Sequence, residues 1–164
     1  MNTVPDESLR LYAVLRGDLQ MSEGKANAQA GHAYVDALLN SLTSEDALSR
    51  MRAASYAGLK PGTKICLDGG SLSRIEMLCE RLAEAGTPHV RIVDSGHVEA
   101  PDFDGRPILT AIGIGPLRRD ETPNFLRKLP LWTGGARLRA QCAQTEFQLP
   151  KSTPAIRSQE GETR

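Results

Sequence analysis

Four side chains in and just beyond one stretch carry the first chemical signal. Around GDLQMSEGKANAQAGHA, residues 17–33, Lys25, Gln29, His32 and Asp36 recur at i, i+4, i+7 and i+11. On a helix turning about 100° per residue, that spacing lays an ammonium, a carboxamide, an imidazole and a carboxylate along one stripe. A solvated face is usually dominated by Lys and Glu, whereas this set is mixed. Ala26, Ala28, Ala30, Gly31 and Ala33 beside it are small enough to let the helix approach a backbone or a ligand closely. An ammonium in such a place suits a reaction that builds negative charge on an oxygen, because a preorganised donor there lowers the barrier. Its position near the helix start adds unpaired amides that favour anions. His32 has an acid–base reading and a plainer one, as a packing or hydrogen-bonding residue.

The elements that must hold these groups are readable from hydrophobic period and punctuation. LYAVL, Leu11 to Leu15, is a short apolar run ending at Arg16-Gly17-Asp18, as a buried strand does on leaving the core. Residues 22–40 read as the helix, with Val35, Leu38, Leu39 and Ala28 on the side away from the polar stripe. Ser44, with Glu45 and Asp46, starts a second helix that Gly58 and Pro61 end. TKICLD, Thr63 to Asp68, is a second strand, Gly69-Gly70 a turn, and Ser71 the cap of a third helix burying Ile75, Leu78 and Leu82. His89 to Val93 alternates as a half-buried strand, PDFDGRP is a loop, and Ile108 to Ile114 is the fourth strand, with GIGP as its tight exit. Thr122-Pro123 opens a short last helix through Leu129.

This order predicts a three-layer α/β/α sandwich around a mixed four-stranded sheet. The loop between the third and fourth strands is too short for a helical crossover, so those strands are expected to run antiparallel as neighbours. Asp94, at the end of one, then lies near Thr110, at the start of the other. If the first and third strands are parallel, Lys25 emerges at the same sheet edge.

Composition limits what the chain can be. With 164 residues, 40% hydrophobic and 24% charged, it suits one globular domain. No apolar run approaches the roughly 20 residues of a membrane span, and MNTVPDESLR lacks an apolar leader core, so a cytoplasmic location and no membrane partner are expected. Cys66, Cys79 and Cys142 show neither pairing nor ligand spacing, and with the three histidines they predict no metal. No cofactor is expected, because GIGP lacks the third glycine and the helix opening of a dinucleotide fingerprint. Ser95 stands beside Asp94 but in no Gly-x-Ser-x-Gly elbow, which favours direct attack by water. Net charge is zero, so a nucleic-acid surface must be local: Arg50, Arg52, Lys60 and Lys64 form one basic group, and Arg118, Arg119, Arg127 and Lys128 another. Residues 133–164 lose hydrophobic period and read as a mostly disordered tail, in which QCAQTEFQLP has the pattern of one docking strand.

The chain resembles the type 2 peptidyl-tRNA hydrolases, the archaeal and eukaryotic type. The likeness rests on Arg16, Asp18, Leu19 and Met21, on Gly24-Lys25, on Ala28-Gln29 and on Gly31-His32-Ala33. It continues at Asp94-Ser95-Gly96 and at TAIGIGP, Thr110 to Pro116, and spans a domain over residues 9–132. The resemblance implies a metal-free hydrolase that cleaves the ester joining a peptide to the 3′ end of tRNA. It implies a catalytic set of Lys25, Gln29, His32, Asp94 and Thr110, with Arg16, Asp18, Gly24, Ser95 and His97 toward the substrate. An ion pair between Lys25 and Asp94 would mute the carboxylate as a base, so positioning of water is favoured over full proton abstraction. Val98 stands where the family commonly has threonine, which motivates the alternative of a non-catalytic tRNA- or RNA-binding relative. A homodimer is compatible with the alanine-rich surface.

Overall fold

The computed structural model describes residues 6–135. Its elements are β1 (Leu9–Arg16), α1 (Glu23–Leu42), α2 (Ala47–Ala57), β2 (Thr63–Gly70), α3 (Leu72–Glu84), β3 (His89–Asp94), β4 (Val98–Glu99), β5 (Phe103–Asp104), β6 (Ile108–Arg118) and α4 (Asn124–Arg127). The main sheet has the order β2-β1-β6-β3, with β1 parallel to β2 and β6 antiparallel to both β1 and β3. This is the expected mixed four-stranded α/β sheet, and the antiparallel pairing of β3 with β6 holds as read.

Two cores clothe the two faces. Tyr12, Val14, Ile112 and Ile114 meet Ile75, Leu78 and Leu82 of α3 and Leu126 of α4 on one side. Ala13, Leu15 and Ala111 meet Ala26, Ala30 and Ala33 of α1 on the other. The helix α2 packs beyond α1 through Ala37 and Tyr56 against Leu9 and Leu11. At this contact α1 lies close to the sheet, because a Cβ on Gly113 would collide with the Ala33 carbonyl. Small residues therefore form its buried face. That corrects the expected orientation: Val35 and Leu39 are 55% and 53% exposed, and Ala28 is exposed, while Lys25, Ala26, Gln29, Ala30, Ala33, Ala37 and Ser41 turn inward.

Other local readings are revised. The cap of α2 is Asp46, whose carboxylate accepts from the Leu48 and Ser49 amides, and Ser44 instead accepts from the Asp46 amide. Gly69 and Gly70 belong to β2 rather than a turn, and GIGP lies within β6 rather than at its exit. Thr122 does not cap α4; its hydroxyl donates to the Arg118 carbonyl and meets the Tyr12 hydroxyl. The expected loop between β3 and β6 carries a small hairpin, with Val98 opposite Asp104 and Glu99 opposite Phe103. Of the expected tail, Thr133–Gly135 are described and Gly135 is buried, with its backbone against the Leu19 carbonyl. The remainder, including QCAQTEFQLP and Cys142, lies outside the described residues. No helix among them is long and apolar enough to cross a membrane.

Candidate active site

Lys25 sits in the first turns of α1, which Ser22 starts by accepting the Lys25 amide on its hydroxyl. Its ammonium forms an ion pair with Asp94 at the end of β3, the two side chains being 7% and 17% exposed. The same ammonium lies 4.1 Å from the centre of the Phe103 ring. A cation between a carboxylate and an aromatic face is fixed from two directions, and the ring contact is worth about 0.5–2 kcal/mol. Phe103 is 3% exposed and comes from the hairpin. That hairpin is tied down at its first strand and at its turn: Glu99 accepts from the Ser22 amide at 2.8 Å, and Asp102 accepts from the Gln20 amide at 2.6 Å. The anion received at the start of α1 is thus the chain's own Glu99.

Thr110 arrives by a different device. Ile92 pairs with Ala111 but Val93 with Leu109, so Thr110 is the extra residue of a β-bulge in β6. Side-chain parity reverses there. Ile112 and Ile114 face α3, and so does Leu109, although alternation alone would turn it toward α1. The bulge aims the Thr110 side chain at α1, where its hydroxyl donates to Gln29 Oε1 at 2.5 Å, with the Ile92 carbonyl a second acceptor at 3.2 Å. Thr110 is fully buried, so its hydroxyl is committed to these partners. With Oε1 occupied, the NH2 end of the Gln29 amide is the end left to face outward.

Gln29 and Asp94 open onto a groove of about 350 Å³ between α1 and β3, which His32, Asp36, Arg91 and Val93 also line. His32 and Asp36 are exposed. The four-residue stripe is therefore split by depth: its first two members are buried at the sheet rim, and its last two flank the groove.

Arg16 and Asp18 form a unit of their own. The guanidinium donates from Nε and Nη2 to the two Asp18 oxygens at 3.0 and 2.7 Å, and from Nη1 to the Leu109 carbonyl at 3.3 Å. All three nitrogens are engaged inside the chain, and Nη1 grips the residue just before the bulge. Burial pushes the Asp18 carboxyl up, but hydrogen bonds and charge from Arg16 outweigh it and leave the group below the ordinary carboxylate value.

Gly24 and Ser95 are exposed, and His97 is exposed with its imidazole 3.7 Å from Glu99. Val98 is 71% exposed on the hairpin. Burial pushes the Cys66 thiol up to about 11, helped by nearby Asp68 against a hydrogen bond from Tyr34, so it is no ready nucleophile. The basic groups are partly neutralised: Arg52 pairs with Glu121 at 2.5 Å and Arg118 with Asp6 at 2.9 Å. Among the described residues no group of three His, Cys, Asp or Glu is placed to hold a metal ion.

Sequence reasoning missed Phe103, Glu99 and Asp102. A visible signal existed for the first: Phe103 is the lone aromatic in PDFDGRP, and an apolar ring in a polar loop has to bury itself.

A family model described as Peptidyl-tRNA hydrolase PTH2 matches residues 9–132. Among curated relatives, a protein named peptidyl-tRNA hydrolase from Pyrobaculum aerophilum is 35% identical over 109 residues, covering 66% of this chain and 84% of that one. Those of the same name from Methanopyrus kandleri and Methanocaldococcus jannaschii are each 31% identical, over 118 and 124 residues. They cover 72% and 75% of this chain and 93% and 99% of their own lengths.

Proposed function

From the premise that the chain belongs to the PTH2 family of peptidyl-tRNA hydrolases, we propose that it hydrolyses the ester joining a peptide to the 3′ end of tRNA. The observation that carries the reading is the Lys25–Asp94 ion pair at one rim of the sheet, where Asp94 and Gln29 open onto a groove.

In this reading a water molecule hydrogen-bonds to the solvent-facing side of the Asp94 carboxylate, which orients its lone pair toward the ester carbonyl. The bond from water oxygen to carbonyl carbon forms as the carbonyl π pair moves to oxygen. The Lys25 ammonium and the Gln29 NH2 receive that negative charge, and one such donor is typically worth about 2.7–4 kcal/mol. Collapse breaks the bond to the tRNA 3′ oxygen, which takes up the proton released by water. In this reading Asp94, held by its ion pair with Lys25, positions water for attack. Thr110 and Arg16 act one step back, by holding the Gln29 amide and the bulge. His32, with Asp36, lies on the groove and is assigned a substrate contact, as are Gly24, Ser95 and His97, while Asp18 supports Arg16.

The reaction is taken as metal-independent, supported by an ammonium at the place where charge develops, and full activity in EDTA is the check. Residues 9–132 are taken as the catalytic domain, with Arg50, Lys60, Lys64, Arg119, Arg127 and Lys128 available to tRNA phosphates and a steep loss of affinity with salt. A cytoplasmic enzyme of translation follows from that substrate. A homodimer is supported by exposed Val35, Leu39, Leu48 and Met51 on α1 and α2, and sedimentation would test it.

The deciding experiment is cleavage of N-acetyl-aminoacyl-tRNA by the purified chain and by Lys25→Ala and Asp94→Asn. Release of the acyl group by the unmutated chain, slowed about 10²–10³-fold in Lys25→Ala and strongly in Asp94→Asn, is expected. Binding of tRNA without release would instead support the non-catalytic reading that Val98 motivates.

A further inference from the structure

β3 lies at an edge of the sheet, and no described segment pairs along its outer side. The Gly115 amide donates to the Pro88 carbonyl at 3.0 Å, and the Ile92 carbonyl accepts from the Thr110 hydroxyl at 3.2 Å. Even-numbered residues of this segment therefore turn their backbone groups toward β6. With the two-residue period of a strand, Arg91 and Val93 turn their N–H and C=O outward. Those outward groups border the same groove onto which Gln29 and Asp94 open. The opposite edge is treated differently: beside β2, the Asp68 amide donates to the Pro130 carbonyl at 2.9 Å and the Trp132 amide to the Cys66 carbonyl at 3.0 Å, so the chain covers that edge itself.

We propose that the peptide part of the substrate binds in this groove as an added strand along the outer edge of β3, with its ester end at Lys25 and Asp94. The inference rests on the hydrolase reading and adds a site to it. Strand addition suits the substrate's chemistry, because affinity comes from main-chain hydrogen bonds that every peptide offers whatever its side chains. The groove is continuous with the reacting groups through Asp94, the last residue of β3, so a chain leaving the ester carbonyl enters it directly. The Arg91 side chain does not obstruct this path, since its guanidinium reaches toward Glu76 of α3 at 4.0 Å.

The test uses four substrates on the same tRNA: N-acetyl-aminoacyl, N-acetyl-tripeptidyl, and two tripeptidyl forms N-methylated at one or the other of the two residues next to the ester-bearing one. The tripeptidyl form is expected to show a KM about five- to tenfold lower than the aminoacyl form, as one or two backbone hydrogen bonds would give. One N-methyl group should cancel that gain and the other should leave it, because alternate amides of an added strand face away from its neighbour. A second arm uses the enzyme. Val93→Pro removes one outward N–H without touching a bond to β6, and should erase the gain from peptide length while N-acetyl-aminoacyl-tRNA is still cleaved; Val93→Ala should keep it. Equal KM values for the long and short substrates, or equal penalties from both N-methyl groups, overturn the inference. So does a Val93→Pro variant that changes sedimentation alone, which would assign the edge to a second copy of the chain. Failure to cleave any of the four substrates would count against the hydrolase reading itself.

Discussion

On the α3 side of the sheet, Ile75, Leu78 and Leu82 pack into Val14, Ile112 and Ile114, and the contacts made there are between large apolar side chains. On the α1 side the buried residues are mostly alanines, and among them stand Lys25, Gln29 and Thr110, each at most 9% exposed. The two faces share strands, so the difference comes from what each helix offers. A helix that brings small residues can sit close to the backbone and hold polar groups at the sheet's rim, provided that each group finds a partner. A helix that brings Ile and Leu excludes water over more area and does more to stabilise the fold. The division separates holding the molecule together from shaping the site, and it can be challenged one face at a time.

The sharpest challenge is Leu82→Ala, a fully buried side chain on the α3 side. It should cost about 2–5 kcal/mol of unfolding free energy, read from denaturant midpoints, while kcat/KM on peptidyl-tRNA stays within about twofold at a temperature where the variant is folded. Lys25→Ala should do the reverse. A loss of about 2.7–4 kcal/mol in transition-state stabilisation, or about 10²–10³ in kcat, is expected with a much smaller change in midpoint. If both variants lost stability and activity together, the faces would not be distinct in role. Thr110→Val tests the link between them, since it keeps the shape but strands the Gln29 oxygen. A cost of about 1–3 kcal/mol, seen mainly in kcat and recovered by Thr110→Ser, is expected.

The smallest effect concerns the Arg16–Asp18 ion pair at the end of β1. The Asp18 carboxyl is depressed in the folded chain by Arg16. Its contribution is therefore complete above the unfolded-state value of 3.8 and fades as pH falls through the lower folded value. The difference in melting temperature between the parent and Asp18→Asn should shrink as pH is lowered from about 5 toward 2.5, and a difference independent of pH would show that the clamp works without the charge.

The parts of this arrangement that were legible in the sequence are those that depend on spacing along one element or on loop length. The stripe from Lys25 to Asp36 needs only the helical repeat, and the antiparallel return of β6 onto β3 needs only a connection too short for a crossover. What was not legible depends on contacts between elements. The apolar side of α1 was misassigned because hydrophobicity pointed to Val35 and Leu39, while the close approach at Gly113 selects alanine. The hairpin strands are two residues each, too short to show a period. Asp46 and Ser44 both have capping side chains, and only the backbone path decides between them.

The bulge in β6 also sets a limit on how this segment can vary in length. Because Thr110 is supernumerary in the pairing with β3, deleting that single residue would leave a strand of unbroken alternation. With Ala111 toward α1, Leu109 would keep its place toward α3 and Ile108 toward α1, so a one-residue loss would remove the hydroxyl that meets Gln29 while leaving the sidedness of its neighbours intact. Substitutions at Thr110 change one interaction at a retained bulge, whereas its deletion removes the bulge itself, with the local bend and twist that it gives the strand.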